Sequence, residues 1–361
     1  MKIKVTAFDD DLNAQIKKWL EDEILAFIEQ HNLTSTILDT VSIPANFGDD
    51  VKAYQRKLEM REGYTDNQEI SAFGKLLHYQ EKDNIKSVLI ISADIMSCLT
   101  RSDANWIAYF SFYHEMYHIL DTHLLGKHLS IDFILKELND AETFGELLSL
   151  YGNTIWSEYF ASLSSSMRCS SSFKEIEEFP DTVQTILLIP TLLDLVDKTM
   201  TLAKKEVEDY REHGVIDLLN VKIQEATINL LLVAARVVGH LEGYQSDELS
   251  KSVVEKLSNT YFLPIWETLA KEVESLMDRW PNWEDVSELD SLGEVILKCW
   301  NAFGMFPRAS KSSLIKDRYY IDVPSFEAQK HTQHLWVRKT KTLPLCCYRH
   351  QNQILPPCPS A

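Results

Sequence analysis

The chain has 361 residues, of which 45% are hydrophobic and 25% charged, and a formal net charge of −18. That is the make-up of a soluble globular protein with room for two or three structural units. So acidic a surface repels phosphate, which excludes nucleic acid as the main ligand.

The start, Met1-Lys2-Ile3-Lys4-Val5 followed by Asp9-Asp10-Asp11, lacks the apolar run of a secretory signal. Residues Leu12 to Gln30 predict an amphipathic helix, with Ile16, Trp19, Leu20, Ile24, Leu25 and Ile28 at helical spacing. Ser35 to Ile43 is rich in β-branched residues and stops before Pro44, which predicts a strand. Ala53 to Glu62 is polar and fixes nothing. Ser71 to Tyr79 reads as a second strand with a glycine in it, and Asp83-Asn84 as a turn. Ser87 to Ser92 is the clearest strand, four consecutive apolar residues, short enough to be buried on both faces.

Ser102 or Asp103 can cap the next helix, which runs to about Leu125. Helix signals dominate from Ser130: about Ser130 to Leu138, Glu142 to Leu150, and from Thr154 into the weakly structured serine-rich stretch Ser164 to Ser172. Long periodic segments follow, at Asp181 to His213, Val215 to Glu242 and Asp247 to Met277, punctuated by Pro190 and Gly214. The longest apolar stretch, Ile228 to Leu241, contains Arg236 and His240 and is too short to span a bilayer. The expectation is therefore a cytoplasmic protein with no membrane contact. Its single cysteines Cys98, Cys169 and Cys299 fit reduced thiols. A soft boundary near residue 171 divides a unit at 1–170 from a helical unit at 171–306 and a tail at 307–361. From Arg308 the tail carries nine Lys/Arg and three Asp/Glu, a balance of +6 that leaves −24 for residues 1–307. Cys346, Cys347, Cys358 and His350 cluster there without a paired metal-ligand spacing.

The stretch with most chemical content is Tyr113-His114-Glu115-Met116-Tyr117-His118, an H-E-x-x-H motif inside the helix that follows the clearest strand. Two histidines four residues apart share one helix face, at the separation at which both imidazoles can bind one Zn²⁺. Glu115 points about 60° away from His118, near the metal, where it can take a proton from water. A catalytic zinc also needs a third protein ligand. His123 points away from His118 on a continuing helix and is rejected. Asp121, nearly two turns from His114, is better placed as an acceptor for an imidazole N–H than as a ligand. Glu158, in Trp156-Ser-Glu-Tyr-Phe-Ala-Ser162, sits among small and apolar residues, where a lone carboxylate is costly to bury without a cation. It is the preferred third ligand. Glu142 and Glu146, in a more polar run, are the fallbacks.

His114-Glu115-x-x-His118 followed by a helix bearing Glu158-x-x-Ala161 resembles the gluzincin branch of zinc metallopeptidases, and the strand before the motif helix is similar to minimal intracellular bacterial members. The resemblance covers roughly residues 35 to 168. It implies an α+β fold, a zincin-like catalytic unit of small sheet plus motif helix with a mostly helical second unit. It further implies one zinc on His114, His118 and Glu158, with Glu115 as general base towards a protein or peptide substrate. The family adds a later Tyr, His or Arg that stabilises the oxyanion. His240, flanked by Gly239 and Gly243, is the nominee, with Tyr113, Tyr117 and Tyr210 competing. An edge strand, Ser71 to Tyr79, would hold an extended substrate. Two other readings stand beside this one: an interaction protein that uses a zincin fold for partner binding, and a purely structural zinc site.

Overall fold

The computed structural model describes residues 1–34, 36–63, 74–101, 105–136, 138–172, 188–214, 216–309 and 319–323. The architecture is mixed α+β and mostly helical, around one small sheet. Strands β1 (Lys2–Val5), β2 (Leu38–Ile43) and β4 (Asn84–Ile91) run parallel. Strand β3 (Gly74–Glu81) pairs antiparallel with β4 and closes the order β1-β2-β4-β3 as an edge. Val88 to Ile91 are buried on both faces, as a continuous apolar run requires. Leu89 and Ile91 enter the main core, while Val88 and Ile90 pack with Leu77, Val51 and Tyr54 beneath helix α2 (Phe47–Lys57). Neither β1 nor α2 is anticipated by sequence pattern: β1 is four residues long, and α2 is largely polar. β3 runs on to Glu81, past the expected end at Tyr79, and turns at Lys82, whose φ is 58°. The first expected residues of that strand, 71–73, lie outside the described residues.

Helix α1 (Asp10–Gln30) starts where Asp9 accepts a hydrogen bond from the Leu12 backbone at 2.9 Å, and it buries Ile16, Leu20, Ile24 and Phe27. A short helix, α3 (Ala93–Ser97), leads from β4 towards α4 (Asn105–Leu125), the motif helix. Its expected caps, Ser102 and Asp103, lie outside the described residues. α4 buries residues on nearly all sides, from Trp106 through Phe112, Met116 and Ile119 to Leu125, because neighbours surround it. After α5 (Ile131–Leu135), the two helices expected between Glu142 and Ser172 form one, α6 (Phe144–Ser172). The serine-rich stretch stays helical because its small side chains face another helix: Ser162, Ser165 and Ser166 are fully buried.

That partner is α8 (Ile216–Tyr244), which follows α7 (Ile189–His213). A Cβ on Gly239 would lie 2.5 Å from the Tyr159 carbonyl oxygen, and one on Gly243 2.6 Å from the Leu163 carbonyl oxygen. Glycine there is what lets α6 and α8 form the most extensive helix pair of the fold. The segment expected from Asp247 to Met277 divides into α9 (Asp247–Leu257) and α10 (Leu263–Arg279). Pro264 sits in the first turn of α10, where its missing N–H does no harm. Helix α11 (Asp290–Ala302) leads to a strand pair, β5 (Phe306–Ala309) with β6 (Tyr319–Asp322). One hydrophobic core contains residues from Ile16 to Val323, continuous across the soft boundary near 171 and into the segment assigned to the tail. The terminal cysteine cluster lies outside the described residues, and Cys98, Cys169 and Cys299 are free thiols. Among the described residues no helix is long and apolar enough to cross a membrane.

Candidate metal centre

α4 and α6 bring His114, His118 and Glu158 together, the one group of metal-capable side chains among the described residues. The two Nε2 atoms are 3.1 Å apart, and Glu158 Oε2 is 3.3 Å from that of His114 and 3.8 Å from that of His118. Four donors held tetrahedrally at ~2.05 Å from zinc stand ~3.3 Å from one another. The observed triangle matches three corners of such a tetrahedron to within about half an ångström. The ligand side chains retain 11% to 14% exposure, so the group borders solvent instead of being sealed in the core.

Both ring nitrogens of His118 are engaged. Its Nδ1 lies 2.7 Å from Ser157 Oγ, and the Ser157 hydroxyl also favours the charged form of Asp121. Asp121, whose Oδ1 also accepts from Trp156 Nε1 at 3.1 Å and Trp280 Nε1 at 3.0 Å, gathers donors. With Asp121 ionised and taking the Ser157 proton, Ser157 accepts from His118 Nδ1–H, which leaves the Nε2 lone pair for the other ligands. No hydrogen bond joins Asp121 to the imidazole, the role the sequence suggested; Ser157 is what meets the ring. Burial pushes His118 down to about 3, despite the opposing pull of Glu158, so its ring stays neutral and able to ligate. His114 departs from this pattern: its Nδ1 is buried without a partner.

Glu158 is not the lone carboxylate the sequence implied. Arg236 of α8 donates to it from Nε to Oε2 at 2.7 Å and from Nη2 to Oε1 at 2.9 Å. Burial opposes its charge, but the Arg236 guanidinium and the His114 and His118 rings hold its carboxyl well below the usual glutamate range. Sequence reasoning missed this residue. The signal was available: Arg236 is the only Lys, Arg, Asp or Glu between Ile228 and Leu241, and a cation in an apolar run needs a counter-ion.

Glu115 is packed against the start of the edge strand, where a Cβ on Gly74 would lie 2.6 Å from its Oε1. Burial raises its carboxyl above the ordinary glutamate value, with His114 pulling it down and Glu158 pushing it up. That makes it a stronger base than a solvated glutamate. β3 is itself tied to the motif helix, because His78 Nε2 meets Thr122 Oγ1 at 3.2 Å, while His78 Nδ1 meets Ser87 Oγ of β4 at 2.8 Å.

The other candidates are not members of the triangle. His240, one turn beyond Arg236, is 2% exposed, bonds Ser166 Oγ through Nδ1 at 2.7 Å, and hydrogen-bonds to none of the three ligands. The Tyr113 hydroxyl donates to Glu23 and accepts from Arg168 at 2.6 Å, on the far side of the helix. Tyr117 packs with Phe27 and Phe160, and Tyr210 belongs to α7. Glu146 is held by Lys136 at 2.6 Å and caps the Glu142 backbone at 2.7 Å, so neither fallback carboxylate joins the group. No protein-family model, no curated protein and no solved structure among those compared matches this chain.

Proposed function

We propose that this chain is a zinc-dependent peptidase of gluzincin type. The observation that carries the reading is the triangle of His114 Nε2, His118 Nε2 and Glu158 Oε2, with separations of 3.1, 3.3 and 3.8 Å. Those three residues would hold the metal. A zinc bound there supplies a Lewis acid that polarises a carbonyl and acidifies water. Glu115, a carboxylate of raised basicity next to the triangle, takes a proton from the attacking water and passes it to the leaving amine. Charge developing on the scissile carbonyl oxygen falls within the field of Arg236, whose Nη1 bonds to no described residue; His240 is the second candidate for that role. An extended peptide paired with the edge strand β3 would pass Glu115, because the Gly74 end of that strand lies beside it.

Wild type purified without chelator is expected to carry one zinc per chain and to cleave an unstructured protein substrate. Glu115→Gln is expected to keep the zinc and lose the cleavage. Zero zinc in the wild-type protein rejects the proposal.

A second reading is favoured by the Arg236–Glu158 pair itself. Arg236 neutralises Glu158 without any metal, so the cluster can serve as a polar core element of an interaction protein. In that case zinc neither binds nor stabilises the fold, and Glu115→Gln leaves the cellular phenotype intact.

A further inference from the structure

Glu158 Oε2 has two claims on it. It accepts from Arg236 Nε at 2.7 Å, and it is the carboxylate oxygen that faces His114 Nε2 at 3.3 Å. Resting on the zinc reading, we infer that Arg236 and the metal compete as counter-ions for this carboxylate. Arg236 is thus a positioning residue that holds the third ligand in place in the metal-free protein and weakens the site's grip on zinc.

The charges give the sign. With neutral imidazoles, Glu158 and Arg236 sum to zero, so a dication enters a ligand set of no net charge. Without Arg236 it enters a set of charge −1, and Glu158 is a buried carboxylate with no cation until the metal arrives. Both changes favour metal binding. Charges a few ångströms apart and shielded from bulk water interact strongly enough for an effect of about tenfold or more. Coupling is reciprocal: a bound metal also loosens the Arg236–Glu158 pair. The fork geometry works in the opposite direction, since two hydrogen bonds preorganise Glu158. Charge and geometry can be separated by substitution.

The test compares wild type, Arg236→Gln and Arg236→Lys, stripped of metal and titrated with zinc alone against a chromophoric chelator at pH 8. Arg236→Gln keeps a donor for Glu158 but removes the charge, and it is expected to bind zinc about tenfold more tightly than wild type or better. Arg236→Lys keeps the charge but loses the fork, and is expected to bind no more tightly than wild type. Because Arg236→Gln can lose its fold once stripped, zinc release from the loaded proteins into excess chelator gives a second measurement, with about tenfold slower release expected from Arg236→Gln. A merely structural arginine predicts weaker binding and faster release in both variants. Zinc binding by Arg236→Gln that is equal to or weaker than wild type overturns the inference while leaving the zinc reading intact. Absence of zinc from all three proteins rejects the zinc reading and the inference with it.

Discussion

The Cα of Gly74, the first residue of the edge strand, lies so close to Glu115 that a Cβ there would sit 2.6 Å from Oε1 and 2.7 Å from Cδ. The obstructed atoms are the far end of a flexible side chain, so the fold can accommodate Gly74→Ala by moving the carboxylate. The prediction separates stability from chemistry: unfolding free energy changes by less than about 1 kcal/mol, zinc content stays the same, and peptide hydrolysis falls by about tenfold or more as Glu115 leaves its place. Activity equal to wild type would show that Glu115 is not working from its observed position.

The third ligand can be named by metal analysis. Glu158→Ala is expected to lose bound zinc, whereas Glu142→Ala and Glu146→Ala keep it, because Glu146 is occupied by Lys136 and the Glu142 backbone. Glu158→Ala also leaves the Arg236 guanidinium without its partner, which costs roughly 2–4 kcal/mol in chemical denaturation. Adding Arg236→Ala should recover part of that loss. Zinc retained by Glu158→Ala at wild-type stoichiometry would point to a different third ligand.

The motif helix, the buried strand and the Glu158 helix are legible in sequence because each is a local pattern: helical or alternating periodicity, or residues four apart on one face. What was not legible is set by contacts between distant segments. Arg236 lies 78 positions from Glu158, and the Ser157–His118 hydrogen bond depends on how α4 and α6 face each other. The serines after Ser162 favour irregular structure by local propensity. Burial against Gly239 and Gly243 overrides that preference. The short β1 and the polar α2 gain their order from the sheet they border, not from a pattern of their own.

Gly239 tests the α6–α8 contact that places Arg236. In an isolated helix Gly→Ala gains about 1 kcal/mol. Here the new Cβ would meet the Tyr159 carbonyl oxygen at 2.5 Å and the Leu163 nitrogen at 2.8 Å, both backbone atoms that cannot rotate away. Overpacking of this kind costs about 1–3 kcal/mol, so the net effect of Gly239→Ala is destabilising. Urea denaturation should show a lower midpoint at unchanged slope. A more stable variant would mean that α8 sits further from α6 than observed.

Asp121 should respond to pH in the direction opposite to an ordinary carboxylate. Burial raises its pKa to about 7, although the indoles of Trp156 and Trp280 and the hydroxyl of Ser157 favour the charged form. The folded protein therefore binds this proton more tightly than the unfolded chain, whose Asp titrates near 3.8. Asp121's contribution is fully present below about pH 4, is lost progressively as pH rises to about 7, and is constant above that. In the metal-free protein, Asp121→Asn should thus gain stability on wild type between pH 4.5 and 8, by roughly 2–4 kcal/mol. The same substitution should damage the metal site. An Asn amide can donate to Ser157, whose hydroxyl then donates to His118 Nδ1, which puts the ring proton on Nε2, the nitrogen needed for the metal. Zinc affinity should fall about 10- to 100-fold, as it does when a partner that orients a ligand is lost. Denaturation at the two pH values and a chelator competition measure the two effects on one variant. A stability difference that does not move with pH would show that Asp121 ionises normally, and unchanged zinc affinity would show that Ser157 does not set the His118 tautomer.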